Sequence, residues 1–137
     1  MTNWKVIYTR EAGLDLGFFI EKYPKIWEEI RRVMKLLAQE DDPRHPKNPA
    51  LKVARIEHDA PDWWRIYVGE PGPFWVRVVF TLIGTRSGEE IEIGLREQVA
   101  EFEAPYFIEI TDAVFREKAY GKRLRDRFKI YWRRRSK

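Results

Sequence analysis

The hydrophobic period of this chain changes across one short segment, EDDPRHPKNPA (Glu40 to Ala50), and the change limits the folds open to it. Before the segment, Leu14, Phe18, Tyr23, Trp27, Ile30, Met34 and Leu37 recur at three- to five-residue steps with charges between them, as amphipathic helix requires. After it, LKVARIEH, WWRIYVG, PFWVRVVFTLIG and EEIEIGLRE alternate and are rich in branched and aromatic residues, as strands are. Pro43, Pro46 and Pro49 keep the segment itself extended and irregular. WKVIYT (Trp4 to Thr9) reads as an opening strand. Pro24 disfavours helix at Tyr23 and suits the first turn of a new one, so two helices are predicted, over 11–22 and 24–39, folded as a hairpin. HDAPD, EPGP and TRSG form turns and join the four later strands into a meander.

The C-terminal part is less regular. VAEFEAPYFIEI is ambiguous, and a further edge strand broken at Pro105 is one reading. Thr111 reads as an N-cap, and Val114, Phe115, Tyr120, Leu124, Phe128, Tyr131 and Trp132 then trace a last amphipathic helix. The expected fold class is α+β: an N-terminal strand, a helical hairpin, an antiparallel β-meander with the helices on one face, and a C-terminal basic helix. The expected division is an α+β domain over 1–110 and a basic amphipathic helix over 111–137, packed on the same domain.

Charge is distributed unevenly. The segment from Val114 to Lys137 holds eleven of the 26 basic residues and two of the 22 acidic ones, a surplus of +9 in a chain whose net charge is +4. Such a segment suits an anionic partner, nucleic acid first, and it also suits a solvated helix face that balances an acidic body. There is no cysteine, which excludes disulfides and thiolate metal sites. His45 and His58, the only histidines, are not aligned with carboxylates as metal ligands, so no metal and no cofactor is expected. No run approaches the roughly 18 apolar residues of a membrane span, and MTNWKVIYTREAG lacks a signal-peptide pattern. The expected location is cytoplasmic, with no membrane partner.

Strand parity assigns faces. Trp64, Ile66 and Val68 share one face of their strand, Val76, Val78 and Phe80 of the next, and Ile91, Ile93 and Leu95 of the last. The opposite face is mixed and carries Arg65, Arg77 and Arg96, one per strand, among Trp63, Tyr67 and Trp75. Guanidiniums beside aromatic rings suit a polyanion with planar groups, because arginine grips phosphate bidentately and rings stack on bases. One arginine per exposed strand face is also ordinary sheet decoration, paired with Glu90 or Glu92 across strands. Lys122, Arg123, Arg125 and Arg127 in the basic helix are further candidates to lie along phosphate.

The succession Trp64-Arg65-Ile66-Tyr67-Val68-Gly69, then Trp75-Val76-Arg77-Val78-Val79-Phe80, then Ile91-Glu92-Ile93-Gly94-Leu95-Arg96-Glu97 resembles the RelE/ParE toxin superfamily of type II toxin–antitoxin systems. The resemblance covers roughly residues 4 to 102 and lies more in the order of the motifs than in any one of them. It implies a ribosome-associated mRNA endonuclease, neutralised by an antitoxin protein and needing no metal, with Arg65, Arg77 and Arg96 as catalytic residues that stabilise charge at the scissile phosphate. Where the family ends with a tyrosine or histidine this chain has Phe102, which transfers no proton, and Tyr106 lies close by. The same superfamily includes inhibitors of other targets such as gyrase. A non-catalytic RNA-binding module on this fold is the remaining alternative.

Overall fold

The computed structural model describes residues 3–70 and 72–135. In chain order the elements are β1 (Trp4–Tyr8), α1 (Arg10–Lys22), α2 (Pro24–Leu37), β2 (Val53–Arg55), β3 (Trp64–Val68), β4 (Val76–Arg86), β5 (Glu89–Glu92), β6 (Glu103–Phe115) and α3 (Gly121–Arg135). The class is α+β, as the sequence predicts. Thr9 does not extend β1. It caps α1, its hydroxyl accepting from the Ala12 N–H at 3.1 Å. The helix stops at Tyr23 because Pro24 follows, and Pro24 opens α2.

The sheet order is β1-β6-β4-β3-β2. β1 runs parallel to β6, and the other pairs are antiparallel. Along one side of β4, β3 takes Val76 to Phe80 and β5 takes Ile83 to Arg86. The segment that reads as a broken edge strand is therefore β6, an interior strand held on both sides, with Pro105 near its start. The last helix begins at Gly121 and not at Thr111, so 111–115 belongs to the sheet and the expected division at 110/111 cuts a strand. The reason is a bulge. Val79 pairs with Asp112 but Phe80 with Ile110, which leaves Thr111 over. Ile110 and Ala113 then share the core face three residues apart, and that spacing imitates a helix.

Two cores result. The larger lies between α1, α2 and the apolar sheet face, where Leu16, Phe19, Ile30 and Leu37 meet Ile66, Val78, Phe80 and Ile108. Phe102 belongs to it and sits directly against Gly84, where an added Cβ would come within 2.7 Å of the Phe102 Cβ and 2.9 Å of its ring. The smaller core occupies the other sheet face. There Trp63 and Val79 are covered by Leu124, Phe128 and Tyr131 of α3, with Phe128 and Tyr131 edge-on to Trp63 at 5.3 and 5.4 Å. Helices thus cover both faces and not one. The proline-rich segment has no helix or strand, yet it is pinned: Arg44 is buried, bonds Asp42, and donates to the carbonyls of Gly94 and Glu97. Among the described residues no helix is long and apolar enough to cross a membrane.

Candidate functional site

α3 leaves one end of the mixed face uncovered, and the side chains there form a ladder. Alternation along β3 puts Arg65 and Tyr67 on that face. Trp75 enters β4 beside them, and Arg116 leaves β6 with its N–H donating to the Trp75 carbonyl at 2.7 Å. The Tyr67 and Trp75 rings lie 4.4 Å apart with 30° between their planes. The Arg65 guanidinium stands 4.8 Å from the Tyr67 ring centre, and that of Arg116 stands 5.0 Å from Trp75 and 5.9 Å from Tyr67. All three are cation–π distances.

Two clefts share this ladder. One, of about 440 Å³, is lined by Ala50, Lys52, Arg65, Tyr67, Trp75 and Arg116, with no carboxylate among the described residues. The other, of about 560 Å³, lies across Tyr67 and Arg116 and meets Gly72, Pro73, Glu117 and Ala119. Chemically, the first cleft offers three cations and two ring faces, and no carboxylate of the described residues lines it.

The expected trio is not assembled. Arg77 shares the ladder's face but is sealed, at 6% exposure, and donates to Asp112 at 3.0 Å. Asp112 is fully buried and also accepts from Arg123 at 2.9 Å. Arg123 and Arg127 both bond Asp15 of α1, at distances of 2.9 to 3.0 Å. Arg77, Arg123 and Arg127 therefore belong to an internal ion network joining α1, β4, β6 and α3. Arg96 sits in an exposed turn, because β5 ends at Glu92. Trp63 is completely buried under α3. Arg125 is paired with Asp59 at 2.8 Å and Lys122 with Asp126 at 3.6 Å. Of the predicted residues, Arg65, Tyr67 and Trp75 remain together on an open surface. Sequence reasoning missed Arg116 and Lys52. Parity would have found Arg116 had 111–115 been read as strand, since Asp112, Val114 and Arg116 alternate with Ala113 and Phe115.

A second feature lies at the other end of the same face, beneath the last turns of α3. Glu92 accepts from the Thr81 hydroxyl at 2.8 Å and the Trp63 indole N–H at 3.2 Å. Burial pushes its carboxyl up to about 7, with Asp62 adding to the shift, while those two hydrogen bonds and Arg135 oppose it. Glu109, which the sheet register sets opposite Thr81, is also raised by burial. Tyr131 above them is pushed further up, first by burial and then by the two glutamates. Among the described residues no three acidic or histidine side chains are placed to hold a metal ion. Comparison with protein-family models, with curated proteins and with solved structures returns no match.

Proposed function

We propose that the protein binds single-stranded RNA through the Arg65–Tyr67–Trp75–Arg116 ladder, as a binding module. The observation that carries the proposal is a pair of neighbouring rings flanked by two guanidiniums on an open sheet end, beside a cleft with Lys52 and no carboxylate among the described residues. Ring faces stack on any base at about 1–3 kcal/mol each, and guanidiniums supply phosphate contacts. The test is fluorescence anisotropy of a labelled single-stranded RNA at low salt. Replacing Trp75 or Arg116 by alanine should weaken binding about tenfold, by the loss of one stacked base or one charged contact. Wild-type affinity in both variants would remove the ladder from the argument.

A RelE-like endonuclease acting on mRNA at the ribosome, held by an antitoxin, is the second reading. What favours it is the motif succession across Trp64 to Glu97 together with the opening strand and helical hairpin. In that reading Arg77 acts only if Asp112 releases it, because its guanidinium faces inward. Adding the chain to a translation extract separates the two readings. Cleaved mRNA and arrested synthesis would support the nuclease, whereas bound but intact RNA is the outcome for a binding module.

A further inference from the structure

The groove beneath the end of α3, about 710 Å³, is within the size range of small-ligand sites and has no role in the ladder. Its lining carries six carboxyl side chains, Asp62, Glu89, Glu90, Glu92, Glu97 and Glu109, against two guanidiniums. Both guanidiniums are already engaged. Arg134 is bound by Glu11 through two contacts of 2.8 and 2.9 Å, while Arg135 donates to the Glu90 carbonyl and lies over the Tyr131 ring. Among the described residues, Glu97 is the one acid of the lining with a full ion pair from outside, with Arg86 at 3.0 Å.

The floor shows a second, independent deficit. Tyr131 is 5% exposed, and its hydroxyl and a carboxyl oxygen of Glu109 interact as a weak hydrogen-bonded pair, yet neither the hydroxyl nor Oε1 of Glu109 completes a hydrogen bond of good geometry with any described residue. Buried polar atoms ordinarily have partners, so unused capacity at the bottom of an acidic groove marks a place for an N–H donor. A single metal ion does not fit the described residues. The carboxyls are spread along the rim and floor, which calls for a ligand with several separated positive charges. Trp132, exposed at the edge, offers an apolar face for a hydrocarbon stem.

We propose that this groove binds a linear aliphatic polyamine, with its ammonium groups on Glu92, Glu109 and the Glu89–Glu90 rim and its methylenes against Trp132. The titratable neighbours set the expected pH response. Glu92 faces Asp62, Thr81, Trp63 and Arg135, and Glu109 faces Tyr131, Glu90 and Arg135. A polycation draws Glu92 to ionise, so binding releases protons near neutrality and strengthens as pH rises from about 6 to about 8, and Glu109, also raised by burial, is drawn in the same direction.

The experiment is calorimetric titration of the full chain with spermidine, free of RNA, at pH 7 in two buffers of different ionisation heat. One saturable site with proton release is expected. Glu92→Gln should weaken it about tenfold and remove most of the proton release, and Tyr131→Phe should weaken it with an unchanged circular dichroism spectrum. Absence of saturable binding at pH 8 would overturn the proposal. So would equal binding by Glu92→Gln, or displacement by magnesium at matched charge, since either means a diffuse counterion effect. RNA binding through the ladder is read separately and can stand or fall without it.

Discussion

Glu92 accepts two hydrogen bonds and still titrates near neutrality, because burial and Asp62 outweigh them. Its folded value, about 7, lies above the ordinary 4.5, so the folded chain holds a proton that the unfolded chain gives up. The contribution to stability is therefore best below pH 4.5, is lost progressively as pH rises toward about 7, and is level above that. Glu92→Gln keeps an acceptor for Thr81 and Trp63 and has no charge to bury. It should stabilise the protein by about 2–3 kcal/mol at pH 8 and by almost nothing at pH 4, as read from urea midpoints at the two pH values. Asp112 is a buried carboxylate that two arginines hold in place. Asp112→Asn leaves Arg77 and Arg123 under-compensated in the interior and should cost about 3–5 kcal/mol in the same measurement. A loss below about 1 kcal/mol would show that the network is not what positions Arg77.

At the scale of elements, α3 is anchored by its stripe and not by its charges alone. Leu124 is buried between the helix and Trp63, whereas Tyr120, in the same periodic pattern, is 65% exposed and precedes the helix. Leu124→Ala should cost about 2–5 kcal/mol and Tyr120→Ala no more than about 0.5, which paired thermal melts would separate. The same elements show what the sequence makes legible. α1, α2, β3 and β4 follow directly from their periods, and parity correctly places Trp64, Ile66, Val78 and Phe80 on the core face. It also groups Arg65 with Tyr67 and Trp75. It fails at β6, because an interior strand with a bulge at Thr111 breaks period two and because Ala104-Pro105 reads as an interruption. Once the end of β6, 111–115, is read as helix, α3 begins too early, the second core is invisible, and the mixed face looks open. Arg77 and Trp63 then look like surface groups. Arg96 fails for a smaller reason, since alternation in IEIGLRE continues past the residue where pairing stops.

For the whole molecule, about half of the +9 surplus of the C-terminal segment is neutralised within the fold. Arg123 and Arg127 neutralise Asp15 and Asp112, Arg125 meets Asp59, and Arg134 meets Glu11. Those four arginines clamp the helix to an acidic body, and Lys52, Arg65 and Arg116 line the one cleft described above that has cations and no carboxylate among the described residues. Three such contacts predict that the logarithm of the RNA association constant falls with the logarithm of salt at a slope of about −2. Arg116→Gln should reduce the slope by about 0.7. A slope near −5 would mean that α3 joins the interface after all. One further consequence comes from the parallel pairing of Trp4–Tyr8 with Tyr106–Ile110. β1 has its neighbour a hundred residues downstream, and that neighbour also pairs with β4. The sheet cannot close until residues 103–115 have emerged, so the helical hairpin must wait with its apolar side partly uncovered. Folding should be slow and all-or-none, and chains truncated before residue 103 should be recovered only with a chaperone or in aggregates.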